Sequence, residues 1–150
     1  MSEYDEFKRE GAAEIADMGN DGELALTTRL WRERANRKKY SYHFEWMGRP
    51  VIQYPQDILA LQEIIWSVKP DVIIETGIAH GGSLILSASL LELNAISGGP
   101  QDARVLGIDI DIRAHNRAAI VSAHSSMSSS NALVAGLTRT SRRVTTAKKS

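Results

Sequence analysis

The chain has 150 residues, with 18 basic and 18 acidic side chains and no cysteine. This length allows one domain with a buried core but is short for a complete nucleotide-dependent enzyme. Because the formal net charge is zero, we expect neither a nucleic acid nor a membrane as partner. The lack of cysteine excludes disulfides, thiolate metal sites and cysteine nucleophiles. The polar N-terminal stretch lacks the apolar core of a signal peptide, and no apolar run reaches the roughly 20 residues of a spanning helix, so we expect a cytoplasmic protein.

Two polar helices are predicted at the start of the chain. Residues 1–20 form a loose helix that ends near Gly19, and Asn20-Asp21 offers the N-cap of a second helix that continues to about Lys39. The second helix carries a cluster of basic side chains. They suit a solvated helix face with cations near its C-terminus better than a nucleic-acid site, because the nearby aromatic residues do not alternate with them.

The segment from Tyr40 to Pro55 is rich in aromatic residues, is interrupted by Gly48 and Pro50, and is predicted to be irregular. Two interpretations stay open. The segment is a lid or wall over a ligand, since loops carry sites and aromatic faces suit apolar or sugar rings. Alternatively, it is a packed connector that covers the edge of a sheet. We expect His43 to be a surface or hydrogen-bonded histidine rather than a base or a ligand.

A clear amphipathic helix begins at Gln56-Asp57 and is stopped by Lys69-Pro70, where the proline favours an extended Lys69. The residues on its apolar face are Ile58, Leu61, Ile65 and Val68. The run from Val72 to Thr76 follows at once. Because it is short, apolar and β-branched, we predict that it is a buried parallel strand.

The same pattern of helix and strand then repeats. A helix is predicted over Ser83 to Leu93, a surface turn over Asn94 to Asp102, a second buried strand over Arg104 to Asp109, and a third helix from Ile112 to about Ile120. This order predicts an α/β fold in which right-handed crossovers join the strands of a parallel sheet.

The carboxyl ends of the two strands carry the candidate site, because open parallel sheets bind ligands there. Glycines let the backbone of the first strand-to-helix turn approach a ligand, and an acid at the second strand end suits ribose hydroxyls. The predicted cofactor-binding residues are Glu75, Gly77, Gly81, Gly82, Ser83 and Asp109. The alternative is a tight strand-to-helix turn that binds no ligand. We favour ligand binding, because Asp109 places an acid at the end of the second strand.

The spacing of the glycines narrows the ligand class. The turn has no Gly-Lys-Ser/Thr and no G-x-G-x-x-G, so it matches neither a P-loop nor a dinucleotide fingerprint. What stands here is E-x-G-x-x-x-G-G-S. This pattern suits S-adenosylmethionine, whose ammonium needs acceptors and whose carboxylate needs donors such as the Ser83 hydroxyl and the amides at the helix N-terminus.

These residues resemble the cephalosporin hydroxylase family, which includes rhamnosyl O-methyltransferases. The resemblance covers about residues 30–120 and is carried by the runs 69–83 and 107–111. It implies a Rossmann-like class I methyltransferase fold with S-adenosylmethionine as cofactor and, in the intact enzyme, Mg²⁺. It places Glu75, Gly77 and Ser83 at the methionine end and Asp109 at the ribose. For Asp111 it leaves a cofactor or metal role and a helix-cap role equally open.

His80 is the candidate base, since an imidazole can accept a proton near neutral pH. The competing expectation, which we favour, is a side chain that faces solvent or packs on the next helix. The resemblance also implies about seven strands, whereas the chain shows two, so we expect the N-terminal half of the fold only. Asp111 is the last acid in the chain, and no metal triad can be assembled after it.

The composition of the chain changes near residue 121. Residues 121–150 carry no acid, five bases and twelve Ser or Thr. We therefore divide the chain into an N-terminal helical and aromatic extension (1–50), a partial Rossmann-like cofactor-binding domain (51–120) and a Ser/Thr-rich basic tail (121–150). A frameshift or a truncated gene would explain the tail, as would a genuinely disordered segment. An alternative reading frame rich in acids at the locus would support the frameshift.

Several functions compete on this basis. The first is an S-adenosylmethionine-dependent O-methyltransferase for a hydroxyl of a sugar or another small-molecule acceptor, impaired by truncation and compatible with a homo-oligomer. The second is an inactive fragment or an interaction module that uses an exposed sheet edge. A hydroxylase of secondary metabolism ranks lower because no iron triad is visible. A nicotinamide-dependent oxidoreductase ranks last because its glycine spacing is absent.

Overall fold

A computed structural model of the chain describes residues 1–110 and, beyond them, Ala114, Asn116 and Ala118. The backbone forms two compact units, of which the first ends at Tyr40 and the second begins at Ser41. Within the described residues, no helix combines the length and the apolar character that crossing a membrane requires.

The first unit consists of helices α1 (Glu3–Asn20) and α2 (Gly22–Arg37), close to their predicted ends. Ser2 and Asp5 form a reciprocal capping box at the start of α1. The Asp21 carboxylate caps α2 by accepting hydrogen bonds of 2.9 Å from the Glu23 and Leu24 amides. Neither helix buries a residue. The basic side chains of α2 are exposed, as expected of a solvated helix face.

The second unit begins with a small hairpin that the sequence did not predict. A 3₁₀ turn (Tyr40–His43) leads into β1 (Glu45–Trp46), which pairs antiparallel with β2 (Arg49–Pro50). Both turn residues, Met47 and Gly48, have positive φ, as a tight primed hairpin turn requires. The prediction of an irregular segment is wrong here, because two-residue strands and a Met-Gly turn leave no alternating pattern to detect.

The hairpin packs on a long apolar helix, α4 (Gly82–Ile96). The indole N–H of Trp46 donates a hydrogen bond of 3.1 Å to Ser89 Oγ, and Phe44 packs against the buried cluster with it. The interpretation as a packed connector is therefore confirmed for the hairpin, although it covers a helix rather than a sheet edge.

Helix α3 (Pro55–Val68) lies where it was predicted, with Pro55 at its first position. The expectation of an extended Lys69 is wrong, since Lys69 has φ 47° and ψ 59° in the left-handed region. Its amide closes the helix on the Ile65 carbonyl at 2.9 Å, and its ammonium lies 4.9 Å from the centre of the Trp66 ring. Together these contacts outweigh the bias that Pro70 imposes.

The sheet of this unit contains β3 (Val72–Thr76) and β4 (Arg104–Ile108), joined by α4 and parallel, with Val72 opposite Arg104 and Thr76 opposite Ile108. The prediction of an α/β fold with a parallel sheet is confirmed. One face of the sheet packs on α4, since an added Cβ on Gly107 would lie 2.8 Å from Leu84 Cδ1.

Burial of the two strands differs from the prediction. β4 is buried on the face towards α4, where Val105 is 1% exposed. β3 is not a buried strand, because Val72 and Ile74 are 53% and 63% exposed on the opposite face. Its Ile73 and Glu75, on the face towards α4, are only half-buried. The β-branched run identified the strand correctly, but it could not show that one face meets solvent in the described part of the chain.

The core of the second unit is centred on α4, which buries ten of its residues. Asn94 Nδ2 ties this helix to α3 by donating a hydrogen bond of 2.9 Å to the Ile65 carbonyl. Ala114, Asn116 and Ala118 are helical, in agreement with the third predicted helix at those positions. Residues 121–150 lie outside the described residues, and so do the predictions made for them.

Candidate functional site

The turn between β3 and α4 adopts the left-handed conformation at three residues. Gly77, Ala79 and Gly81 have φ of 79°, 43° and 80°. The Gly77 amide extends the sheet by donating to the Ile108 carbonyl at 2.9 Å, and the Gly81 amide donates back to the Ile78 carbonyl at 2.7 Å. The predicted glycines at 77 and 81 thus stand where the backbone needs them, since left-handed φ favours glycine.

Gly82, the third predicted glycine, is required by packing against the hairpin. A Cβ added there would lie 2.1 Å from the Pro50 carbonyl oxygen and 2.9 Å from the Val51 nitrogen. The first turn of α4 therefore starts in direct backbone contact with the end of β2. This contact explains the glycine without any ligand.

Glu75 and Ser83 form a polar pair across the turn. The Ser83 hydroxyl donates a hydrogen bond to Glu75 Oε1. Burial raises the pKa of the Glu75 carboxyl above its ordinary value, and the hydrogen bond from Ser83 opposes this rise. The resemblance places both residues at the methionine end of the cofactor, and the structure brings them together at the end of β3.

Asp109 connects the end of β4 to the same turn. Its Oδ2 accepts a hydrogen bond of 2.9 Å from the Ile78 amide, and the residue is half-buried. The carboxylate therefore helps to hold the backbone between Gly77 and Ala79. The sequence predicted the position of this acid at the strand end but not its hydrogen bond to the turn.

A cleft of about 460 Å³ opens beside the turn. Four of the predicted site residues line it, namely Glu75, Gly77, His80 and Ser83. Gly81, Gly82 and Asp109 are not among the described residues of its lining. The exposed His80 is therefore at the cleft and not packed on α4.

A further part of the cleft lining is formed by Pro50, Ile52 and Gln53, which belong to the aromatic segment, together with Leu61. Pro50 ends β2, Ile52 and Gln53 follow it, and Leu61 lies on α3, so the aromatic segment contributes to a wall of the cleft as well as to packing. Gln53 Oε1 is buried and has no hydrogen-bond partner among the described residues. Buried acceptors in folded proteins are normally hydrogen-bonded, so this oxygen would gain a partner only when a donor from a bound group reaches it.

Sequence reasoning also missed a hydrogen-bonded clamp on the back of the turn, formed by the side chains of Arg49 and Asn116. Arg49 donates to the His80 carbonyl through Nε at 3.1 Å and also through Nη2, which lies 3.2 Å from Asn116 Oδ1. Asn116 Nδ2 donates to the Ala79 carbonyl at 2.8 Å. No motif could have revealed the clamp, since its partners are backbone carbonyls far away in the sequence.

The described residues contain no cluster of metal-ligating side chains. No group of three or more histidine, aspartate or glutamate side chains that could hold a metal ion occurs within residues 1–110 and the three positions beyond them. Asp111, the candidate metal residue, lies outside the described part of the chain.

Comparison with known proteins decides the family. A profile described as rhamnosyl O-methyltransferase/CmcI matches residues 38–146, well over half of the chain. The chain belongs to the rhamnosyl O-methyltransferase/CmcI family. The match extends beyond residue 120, where the sequence predicted the resemblance to end. The frameshift stays a prediction that only the locus can test. No curated protein matches significantly.

Solved structures of CmcI are also similar to the chain described here. One whose title names SAH is 28% identical, with a TM-score of 0.41, and the match covers 50% of this chain and 39% of that chain. Another, whose title names Mg-SAM, is 28% identical with a TM-score of 0.42, and the match covers 50% of this chain and 32% of that chain. An apo structure is 29% identical. The match thus spans 32–39% of the length of those chains.

Proposed function

We propose that this chain binds S-adenosylmethionine in the cleft beside the glycine turn and provides the cofactor-binding part of an O-methyltransferase. The acceptor we propose is a hydroxyl of a sugar or of another small molecule. Family membership supports the reaction class, and the titles of CmcI structures name SAH and Mg-SAM as ligands of that protein. We further propose that residues 51–120 form the cofactor-binding domain.

The chemistry of the cleft fits this cofactor. The Glu75 carboxylate is half-buried beside the cleft, where burial raises its pKa, and no positive charge forms a salt bridge with it among the described residues. An ammonium group would supply that charge. The Gln53 Oε1 atom offers a second unsatisfied acceptor if its amide rotates into the cleft. The single observation that carries the proposal is the half-buried acidic side chain of Glu75 at the end of β3, beside the cleft.

The residues have separate roles in this proposal. S-adenosylmethionine, when bound, supplies an electrophilic methyl group. Glu75 binds the ammonium, and the amides at the start of α4 face the carboxylate, since no side chain caps that helix end. Asp109 orders the turn through Ile78 and is the candidate ribose acceptor. His80, at the cleft, is the candidate base that accepts the proton of the acceptor hydroxyl.

An interaction module is the second candidate function. The observation that favours it is the exposed apolar face of β3, where Val72 and Ile74 meet solvent. In this case the chain would associate with a partner through that face.

Any Mg²⁺ that takes part in the proposed methyl transfer would need ligands outside the described residues. Asp111 is the candidate ligand there.

Calorimetric titration of the full chain with S-adenosylmethionine and S-adenosylhomocysteine tests the proposal. We expect binding of both by the wild-type chain and loss of at least a factor of ~10 in affinity for Asp109→Ala, because a charged hydrogen bond is worth about 1.5–3 kcal/mol. Asp17→Ala, an exposed acid on α1, is the matched control and should bind as the wild type does. A chain that is folded by circular dichroism and binds neither compound would contradict the cofactor site and favour the interaction module.

A further inference from the structure

We infer that Arg49 and Asn116 are positioning residues that hold the glycine turn in the conformation that binds the cofactor. The inference rests on the proposed function, because it concerns the same cleft. Neither side chain belongs to the described lining of the cleft. Both act on it through the backbone of Ala79 and His80.

The clamp reaches two successive carbonyls from both sides of the turn in sequence. Arg49 precedes His80 by 31 residues and donates twice to its carbonyl. Asn116 follows Ala79 by 37 residues and donates to its carbonyl. Asn116 is 5% exposed, and its Oδ1 accepts from Arg49, so both ends of its amide are used.

Fixing these carbonyls fixes the amides of the turn. A trans peptide is planar with its N–H opposite its C=O, and the described chain has no cis peptide. The clamp therefore points the His80 and Gly81 amides away from Arg49 and Asn116. The Gly81 amide reaches the Ile78 carbonyl and closes the turn that lines the cleft.

The clamp also explains why an alanine can occupy position 79. Ala79 has φ 43°, a left-handed conformation in which the side chain of an L residue meets its own backbone. Such a conformation persists only where the surroundings impose it. The hydrogen bonds to the Ala79 and His80 carbonyls impose it together with the bond of the Ile78 amide to Asp109, and they are the ones that act directly on the Ala79 peptide and the one after it. Without them the turn should relax away from the shape of the cleft.

The test is the affinity of the full chain for S-adenosylhomocysteine, measured by calorimetry on variants of the clamp. We expect Arg49→Ala to weaken binding on the order of tenfold or more, since charged hydrogen bonds are lost. Arg49→Lys should fall between this variant and the wild type, because lysine keeps the charge but not the fork. Asn116→Asp should also weaken binding, since it turns a donor towards the Ala79 carbonyl into an acceptor. Arg29→Ala, an exposed arginine on α2, is the matched control and should change nothing.

A second substitution separates positioning from direct contact. Ala79→Gly removes the conformational cost of the left-handed turn, so it should restore most of the affinity lost in Arg49→Ala. A residue that touched the cofactor itself would not be rescued in this way. Hydrogen exchange of the turn amides gives an independent readout, and we expect faster exchange in Arg49→Ala than in the Arg29→Ala control.

The outcomes are distinguishable. Wild-type affinity in both Arg49→Ala and Asn116→Asp would overturn the clamp and leave the cofactor site standing. Weak binding in Arg49→Ala without rescue by Ala79→Gly would overturn the positioning role. A folded wild-type chain that binds no cofactor would overturn the proposed function and this inference with it. If Arg49→Ala does not fold, Arg49→Lys carries the same comparison with the same criteria.

Discussion

Glu75 is the residue at which stability and the proposed function oppose each other. Its carboxylate lies half-buried at the end of β3, with the Ser83 hydroxyl as the hydrogen-bond partner that the structure shows. Burial of a charge without an opposite charge costs free energy, and the raised pKa of this carboxyl is the sign of that cost. A glutamine of the same shape would avoid it. A positively charged ligand at this carboxylate would offset the cost.

The pH dependence of stability tests this interpretation of Glu75. Because the pKa is raised in the folded chain, the folded state holds its proton more tightly than the unfolded state. The free energy of unfolding should therefore fall as the pH rises from below 4.5, the ordinary value, through the higher pKa of the folded chain. Glu75→Gln should remove this part of the decline. Urea denaturation of both chains over a pH series that starts below 4.5 and continues to neutral pH measures the difference.

The same variant separates stability from binding. At neutral pH we expect Glu75→Gln to be at least as stable as the wild type and yet to bind S-adenosylmethionine about tenfold or more weakly, since the ammonium loses its charged partner. Asp17→Gln on α1 serves as the control. A variant with unchanged affinity would show that Glu75 does not hold the cofactor.

At the scale of elements, the close contact between α4 and the hairpin is possible because Gly82 has no side chain. Gly82 leaves no room for a Cβ, because the Pro50 carbonyl oxygen already lies 2.1 Å from where it would be. Val51, which follows β2, is fully buried in the core cluster, so the hairpin cannot retreat without exposing it.

Gly82→Ala should therefore destabilise the second unit by about 1–3 kcal/mol, the usual cost of overpacking a tight site. Gly11→Ala is the contrasting control: its Cβ would have no neighbour within 4 Å in α1, and we expect a gain of about 0.5–1 kcal/mol in helix stability. Thermal unfolding followed by circular dichroism distinguishes the two. Equal melting curves for Gly82→Ala and the wild type would contradict the packing contact.

The sequence predicted those elements whose signals are local. The helix of residues 55–68 has a regular apolar stripe and a terminal proline, and the glycines of the turn mark a strand that leads into a helix. The hairpin was missed because a Met-Gly turn between two-residue strands leaves no pattern. Lys69 was mispredicted because the cation–π contact with Trp66 depends on the folded helix end.

The candidate site was predictable to the same extent. Glu75, Gly77, His80 and Ser83 follow from the spacing after one strand, and all four line the cleft. The further part of the lining and the clamp of Arg49 on the His80 carbonyl bring together distant segments. Such contacts depend on how the elements pack, which one sequence without relatives does not reveal.

At the scale of the whole molecule, the two units differ in how their helices are stabilised. Helices α1 and α2 bury no residue, whereas α4 buries ten. Most of the stability of a helix in a protein comes from its packed face rather than from intrinsic propensity. The helices of the first unit therefore depend on caps and local side-chain pairs, such as the ion pair of Arg9 with Glu6.

Hydrogen exchange of the intact chain should show this difference. We expect the amides of α4 to be the most protected and those of α1 and α2 to exchange at least about 100-fold faster, because their opening exposes no buried apolar surface. Addition of S-adenosylhomocysteine should slow exchange in the turn between Gly77 and Gly81 and leave α1 unchanged. Equal protection of α1 and α4 would indicate that the first unit is packed against a further surface.

The contact between Gly82 and Pro50 also determines which segment of this protein can be transferred to another scaffold. The glycine turn moved alone into another α/β scaffold would leave the start of α4 with a groove shaped for a backbone that is no longer there. The smallest transferable module therefore runs from the hairpin through the first turn of α4. By the same reasoning, insertions that lengthen the hairpin tip at Met47 and Gly48 should be tolerated, whereas a shift of β2 by one residue should not.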